Sequence, residues 1–167
     1  MATIEVPANY DLVKIAAAAG QPDPEMRSYH DGVFEVQGVA QKDLDAALAA
    51  YDHQTETSKK QAGLIADARY RAETAGLTVN GIAVYTDRTT QNKLTAAALR
   101  ASRDPSYTVD WKCSDGSFIT LTAAQIIEVA DAVGDYVQAC YSREAELLTA
   151  VADGSYTPDL LEQGWPV

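Results

Sequence analysis

Apolar and polar positions in the first forty residues indicate several short elements. Residues 3–6 suit a short strand, and residues 10–19 suit a short helix that a glycine and two prolines bring to an end. Residues 29–39 favour an extended segment, whose candidates for burial are Val33, Phe34, Val36 and Val39. We therefore predict a small module of mixed structure over residues 1–40.

Residues 41–75 have the composition of one long helix, with many alanines and no proline. The apolar stripe at helical spacing consists of Leu44, Ala47, Leu48 and Tyr51, and it resumes with Leu64, Ile65, Ala68 and Ala72. The stretch between these two groups, residues 52–61, is polar. An unbroken helix would be about 50 Å long at about 1.5 Å per residue. We therefore predict a solvated helical spacer over residues 41–63, which joins the N-terminal module to a C-terminal one.

Two hairpin signals follow, and a helix separates them. An Asn-Gly pair at residues 80–81 lies between two short apolar segments, which is a strong signal for a two-residue hairpin turn. Asp87 can then cap a helix. Residues 107–113 alternate between apolar and polar side chains, as a half-buried strand does, and an Asp-Gly pair at residues 115–116 turns the chain back.

The last predicted helix has the longest apolar pattern in the chain. Thr122 and Gln125 have the spacing of a capping box, and Gly154 ends the helix. Its heptad-like seam consists of Ile126, Ala130, Val133, Val137, Cys140, Leu147 and Val151, with Glu144 as an interruption. Such a seam fits either a coiled coil between subunits or a face that packs on the chain's own sheet. Additional apolar positions beside the seam favour the second interpretation.

The order of these elements is long helix, hairpin, helix, hairpin, helix, and it predicts an α+β fold. We place this α+β domain at residues 64–152 and a C-terminal tail at residues 153–167. Hydrophobic residues make up 47% of the 167 residues, which is enough for a packed core.

The charge balance argues against nucleic acid as a partner. Lys and Arg number 13 and Asp and Glu number 24, for a net charge of -11. Phosphate backbones are bound by clustered cations, and no cluster here is longer than Lys59-Lys60. The first residues lack the basic and apolar regions of a secretory signal, and no apolar run is long enough for a membrane span. We therefore expect a soluble protein made in a cytoplasm, with no membrane insertion.

The histidines and cysteines do not form a recognisable reactive or metal-binding pattern. His30 and His53 have no further histidine or cysteine at metal-ligand spacing, so we interpret both as surface residues beside acids. Cys113 falls on the apolar face of a predicted strand and Cys140 on the helical seam. A disulfide between them stays open, but both fit small buried hydrophobic residues better than nucleophiles.

No known catalytic or phosphate-binding motif occurs in the sequence. Asp131 and Asp135 are neighbours on a predicted helix, and a glycosidase-like pair could also come from distant segments. With 24 acidic residues, that possibility does not discriminate between functions. We expect no enzymatic activity, no catalytic, cofactor-binding or metal-binding residue, and no cofactor.

One ordered set of residues in the second half carries a family resemblance. It comprises Arg69-Tyr70, Glu73, Gly76, Val79-Asn80-Gly81, Thr86-Asp87-Arg88, Gln91, Leu94, Asp104-Pro105, Trp111-Lys112, Asp115-Gly116, Leu121 to Gln125 and Val137 to Cys140. With these residues, the stretch 68–152 resembles a domain of unknown function that recurs in bacteriophage tail-fibre and tail-assembly proteins. The first sixty residues are outside this resemblance.

Most of these residues have structural explanations as turns and caps, and we expect Trp111 to anchor a core. Arg69, Arg88 and Lys112 are the exceptions, since they are polar residues on elements next to apolar ones. They can bind acids across the hairpins or contact a partner, and motif positions near turns usually serve ion pairing or capping.

The resemblance implies a structural or adaptor component of a bacteriophage tail, at the tail tip, baseplate or tail fibre. It would act through contacts with other tail or fibre proteins, with residues 1–40 docked on a neighbouring subunit. It would be a homo-oligomer or be present in symmetric copies within the tail. Its location would be the virion tail, and the host cytoplasm during assembly. One alternative is a tail-fibre assembly chaperone that is absent from the mature virion. A weaker alternative is a cell-envelope polysaccharide hydrolase.

Overall fold

Two separate hydrophobic clusters organise the chain, one in each of two units. The computed structural model describes residues 1–167 and places the units at Met1–Lys60 and Gln61–Val167. One helix contributes residues to both units. None of the helices combines the length and the apolarity that a membrane span needs.

The N-terminal unit contains a three-stranded antiparallel sheet and two helices. Its elements are β1 (Ala2–Glu5), α1 (Leu12–Ala18), a 3-10 turn (Pro24–Met26), β2 (Arg27–His30), β3 (Val33–Val36) and α2 (Gln41–Ala50). The central strand is β3, since the strand order is β1-β3-β2. Ile15 of α1, Phe34 of β3 and Leu44 of α2 are at most 2% exposed, so helices and sheet share one core.

A hairpin of residues 27–36 replaces the single extended segment that the sequence predicted over residues 29–39. Strands β2 and β3 pair antiparallel around Asp31 and Gly32, whose φ angles are 50° and 80°. Positive φ at both positions is typical of a type I′ turn, and Asp-Gly is a preferred pair for it. Phe34 and Val36 are buried as predicted, whereas the other two candidates are half-buried.

Two helices replace the single helix predicted over residues 41–75. After α2, Tyr51 is extended with a ψ of 113°, and α3 (His53–Glu73) then begins. The carboxylate of Asp52 accepts a hydrogen bond from the backbone N–H of Thr55 at 3.0 Å, as an N-cap residue does. Helix propensity alone favours continuation. The cap marks where α3 begins, and the extended Tyr51, whose hydroxyl accepts a hydrogen bond from the backbone N–H of Asp11 at 2.9 Å, separates the two helices.

Residues 41–63 are not a solvated spacer. Leu44 is completely buried in the N-terminal core, and α2 therefore belongs to that unit. The polar stretch 52–61 also has partners, because Glu56 forms an ion pair with Lys14 of α1. The N-terminal unit is consequently larger than the module expected from the sequence.

The C-terminal unit has the predicted α+β order of hairpin, helix, hairpin and helix after α3. Its elements are β4 (Leu77–Val79), β5 (Ile82–Val84), α4 (Arg88–Ala101), β6 (Thr108–Lys112), β7 (Phe118–Thr122), α5 (Ala123–Asp153) and a 3-10 segment (Pro158–Glu162). Each hairpin is a two-stranded antiparallel sheet. The fold class is therefore confirmed.

Local turn and cap signals in this unit are confirmed as well. Asn80 and Gly81 both have positive φ, at 51° and 82°, between β4 and β5. Asp87 caps α4 by accepting hydrogen bonds from two backbone N–H groups of the first turn. Thr122 and Gln125 form a capping box at the start of α5. Each signal depends only on residues close in sequence, which explains why it could be recognised.

The apolar face of α5 packs inside its own unit. Its buried residues are Ala123, Ile126, Val129, Val133, Tyr136, Cys140 and Leu147. These positions form a face wider than a coiled-coil seam, as the second interpretation of the pattern predicts.

The C-terminal tail is fastened to α5 by hydrogen bonds. The guanidinium group of Arg143 donates to the carbonyl oxygens of Leu160 and Gln163, at 3.1 and 3.2 Å. The indole N–H of Trp165 donates to the carbonyl oxygen of Leu161 at 2.7 Å. The tail is thus an ordered part of the C-terminal unit.

Replacement of Leu44 by alanine tests whether α2 is part of a core. We expect Leu44→Ala to lower the free energy of unfolding of the N-terminal unit by about 2–5 kcal/mol, because it leaves a cavity in a buried site. Denaturant unfolding combined with hydrogen exchange would measure it. Val13→Ala is the control, since Val13 is 57% exposed. Equal stability of the two variants would contradict the assignment of α2 to the core.

The second test concerns the independence of the C-terminal unit. We expect a fragment of residues 61–167 to be soluble and to unfold in one cooperative transition, because its turns, caps and core agree with each other. Calorimetry would show the transition. A fragment that aggregates, or that melts without a transition, would refute this boundary.

Candidate functional site

Several polar residues that carry the sequence resemblance meet at the end of α3. Glu73 is central, and it is only 6% exposed. Its carboxylate accepts hydrogen bonds from the guanidinium of Arg69 and, at 3.1 Å, from the side-chain amide of Gln91. We call the group of Arg69, Glu73, Thr86, Gln91 and Glu144 the Glu73 cluster.

Arg69 forms ion pairs inside the C-terminal unit. Besides Glu73, its Nε donates to Glu144 of α5 at 3.2 Å, and its guanidinium lies 4.7 Å from the ring centre of Tyr141. Burial lowers the pKa of Arg69, but the hydrogen bond with Glu73 and the nearby charges raise it above its ordinary value. We expected Arg69 to bind acids across the hairpins. Its acids lie instead on α3 and α5, because the packing of these two helices brings them together.

Thr86 joins the end of α3 to the start of α4. It has no exposed surface, and its hydroxyl donates to the carbonyl oxygen of Glu73 at 2.5 Å and accepts from the backbone N–H of Gly76 at 3.0 Å. The side-chain amide of Gln91 donates to the carbonyl oxygen of Thr86 at 2.7 Å. At Gly76 the φ is 92°, and an added Cβ would lie 3.2 Å from the carbonyl oxygen of Val84. These contacts make the cluster a connection between elements, with its polar groups satisfied by one another.

Both cysteines are free and buried, which agrees with their interpretation as small buried hydrophobic residues. Burial and then the charge of Glu73 raise the pKa of Cys140, so its thiol stays protonated at neutral pH. Cys113 is 4% exposed, immediately after β6. A protonated buried thiol is a poor nucleophile.

The two histidines differ in their surroundings. His30 is exposed, with its Nε2 3.8 Å from Glu35, as predicted for a surface histidine beside an acid. His53 is half-buried and stacks on Tyr10 at 4.5 Å between ring centres, and its Nε2 lies 3.0 Å from the amide nitrogen of Asn9. His53 therefore differs from the surface histidine beside an acid that we predicted, because Tyr10 and Asn9, which are distant in sequence, cover part of its ring. No group of three or more His, Cys, Asp or Glu could hold a metal ion.

Other candidates from the sequence are dispersed over the surface. Asp131 and Asp135 are both exposed on α5. Arg88 is exposed at the start of α4 and forms no salt bridge. Lys112 of β6 has its ammonium 5.9 Å from the ring centre of Phe118.

A groove of about 660 Å³ between α4 and β6 is the candidate binding site of the C-terminal unit. We call it the β6 groove. Its aromatic lining consists of Tyr85, Tyr107, Trp111 and Phe118, and its cations are Lys93, Arg100 and Lys112. Phe118 is 69% exposed and Tyr85 is 51% exposed, so the groove has large accessible apolar surfaces.

Trp111 lines this groove and is not the buried core anchor that we predicted. Of the predicted face, Val109 and Trp111 pack against the core, and Cys113 follows the end of β6. However, only Cys113 is buried, whereas Val109 and Trp111 are half-buried. The reason is that β6 has only one neighbouring strand, so part of its apolar face stays open.

The cations that line the β6 groove outnumber its acids by three to one. Lys93, Arg100 and Lys112 form no salt bridge in the structure. The one acid in the lining, Asp110, accepts a hydrogen bond from the hydroxyl of Thr120 at 2.7 Å. The groove is therefore locally positive in a protein with a net charge of -11.

This arrangement can recognise a ligand that combines apolar groups with negative charge. Aromatic rings bury apolar surface, and unpaired cations attract carboxylates or phosphates. The sequence pattern did not predict this groove. Lys93 and Arg100 lie two turns apart on one face of α4, which was an available signal, but only packing brings Lys112 to them.

Replacement of Thr86 by valine tests the structural role of the Glu73 cluster. We expect Thr86→Val to lower the free energy of unfolding by about 1–3 kcal/mol, since it leaves buried polar groups without partners. Thr95→Val is the matched control, because Thr95 is exposed and bonds only within α4. Chemical denaturation would compare them, and equal stabilities would show that the cluster does not stabilise the fold.

Comparisons with known proteins identify a family but no individual relative. No curated protein and no solved structure matches the chain. A family model does match residues 54–162, which is more than half of the chain and includes the Glu73 cluster and the β6 groove. Its description, "Domain of unknown function (DUF4376)", states no function. The chain therefore belongs to the DUF4376 family.

Proposed function

We propose that this protein is a structural adaptor of a bacteriophage tail, an accessory subunit of the tail tip, baseplate or tail fibre. The observation that supports a role in protein–protein contacts is the β6 groove. Aromatic residues and arginine are enriched at the centres of protein interfaces. The tail context comes from the resemblance of residues 68–152 to domains of tail-fibre and tail-assembly proteins.

The division into two units supports an adaptor role. Each unit has its own hydrophobic core, so each can hold a binding surface in a defined shape. We propose that the N-terminal unit docks on a neighbouring tail subunit, while the β6 groove takes a second tail or fibre protein. Several symmetric copies within the tail would suit such a component.

The Glu73 cluster is consistent with a function based on shape. Its arginine and carboxylates are paired with one another, and its buried hydroxyl has both a donor and an acceptor partner. Family-signature residues in such a network stabilise a surface that lies elsewhere. The proposed locations are the virion tail and, during assembly, the host cytoplasm.

Mass spectrometry of purified phage particles tests this proposal. We expect peptides of this protein in gradient-purified particles, and also in isolated tails after the capsids are removed, at a constant ratio to the major tail protein. The same lysate before purification provides the reference amount.

A non-virion protein of the same phage serves as the control for contamination. The virion-adaptor proposal would be contradicted if this protein were abundant in the lysate but were lost from the particles during purification to the same extent as that control. That result would instead favour an assembly chaperone.

A further inference from the structure

One edge of β6 has no strand partner. The C-terminal hairpin is a two-stranded sheet of β6 and β7, so β7 pairs with only one edge of β6. On the other edge, alternate residues direct backbone N–H and C=O groups outward. Such an edge is a template for a further strand.

The β6 groove runs along this free edge. Residues 109–112 are consecutive in β6, and all four line the groove. Side chains of consecutive strand residues point to opposite faces of a sheet, so a groove that touches four in a row meets the strand along its edge. The opposite wall is α4, which contributes Lys93 and Arg100.

The first hairpin of the unit is hydrogen-bonded to the chain just beyond β6. Just after β6, the backbone N–H of Ser114 donates to the carbonyl oxygen of Ala83 in β5 at 2.9 Å. The hydroxyl of Tyr85 donates to the carbonyl oxygen of Ser114, also at 2.9 Å. These bonds occupy the backbone beyond β6 and leave β6 itself available.

We propose that the β6 groove binds an extended, acidic peptide segment of a partner protein, which adds as a third strand to the free edge of β6. Main-chain hydrogen bonds to β6 would provide affinity, and side chains on alternate positions would provide specificity. Acidic side chains meet Lys93, Arg100 and Lys112, and apolar side chains meet Trp111 and Tyr107. This inference rests on the proposed function, since it names the chemistry of the partner at the same groove.

Charge complementarity favours a peptide over other occupants. The groove is lined by three cations and one acid, a balance that attracts carboxylates, and a strand edge matches only another polypeptide backbone. A nucleic acid has no peptide groups that match a strand edge, and the sequence has no cation cluster longer than Lys59-Lys60 to bind many phosphates. A second copy of this chain is the remaining competitor, and the solution mass distinguishes it.

Selection from a displayed library of random linear peptides tests the proposal. Peptides of about ten residues are long enough to span the five-residue β6. We expect enrichment of acidic sequences with alternating aliphatic or aromatic residues and without central proline. Enrichment of basic or proline-rich sequences, or of none, would overturn the proposal.

Two variants of equal charge locate the binding site of one enriched peptide, synthesised with a fluorophore. We expect Lys93→Glu with Arg100→Glu to weaken its binding by about ten-fold or more, and added salt to weaken it as well. The matched control is Arg88→Glu with Arg103→Glu, which changes two exposed arginines outside the groove by the same charge. Equal affinities of the two double variants would overturn the assignment. Circular dichroism verifies folding, and Lys93→Gln with Lys112→Gln is the milder replacement.

A backbone-modified peptide tests strand addition separately from charge. N-methylation of alternate peptide nitrogens on the edge-facing side removes donors without changing a side chain, and we expect affinity to fall by about ten-fold. Methylation of the alternate nitrogens that face away from the edge should lower the affinity less. Hydrogen exchange should show new protection in residues 108–112 on binding. The proposal would be overturned if methylation of the two sets of nitrogens had equal effects or if residues 108–112 gained no protection. It would also be overturned if the protein dimerised through this edge, or if a single-stranded oligonucleotide displaced the peptide at similar concentration.

The two proposals fail in different ways. Absence of the protein from purified tails would refute the tail adaptor and leave peptide binding measurable. Failure of peptide selection, with the protein present in tails, would refute strand addition at β6 alone.

Discussion

The buried face of α5 is the constraint on which the C-terminal unit depends. The strands of its two hairpins have only three and five residues, and two-stranded hairpins of this size are marginal by themselves. Ile126, Val129 and Val133 are at most 2% exposed and share one cluster with Leu94 of α4 and apolar residues of both hairpins. One helix face therefore gives several short elements a common core, and their positions follow from it.

The Glu73 cluster defines relative positions of the elements that apolar packing alone does not define. Hydrophobic contacts hold α4, α5 and the two hairpins together without strong preference for a register, whereas hydrogen bonds need defined donor and acceptor positions. Thr86, with its hydroxyl between Glu73 and Gly76, allows little displacement of α3 against the following hairpin. The residues of the Glu73 cluster thus determine how the elements are joined.

The β6 groove is a consequence of the same packing. Helix α4 directs Leu94, Ala97 and Ala101 into the core, and the neighbouring part of its surface carries Lys93 and Arg100. Because the second hairpin has two strands only, it covers its aromatic residues incompletely and leaves one strand edge open. A candidate binding surface therefore lies where a small sheet meets a helix, and the proposed role of the protein depends on it.

The sequence by itself determined the α+β order, the hairpin turn at residues 80–81 and the caps at Asp87 and Thr122, because each depends on residues a few positions apart. It did not reveal the break before α3 or the β6 groove. At the break, Tyr51 accepts a hydrogen bond from the backbone N–H of Asp11, forty positions earlier. In the groove, cations of α4 face β6, and no local pattern specifies that meeting. Only tertiary structure decided these features, because their energies come from contacts between segments distant in sequence.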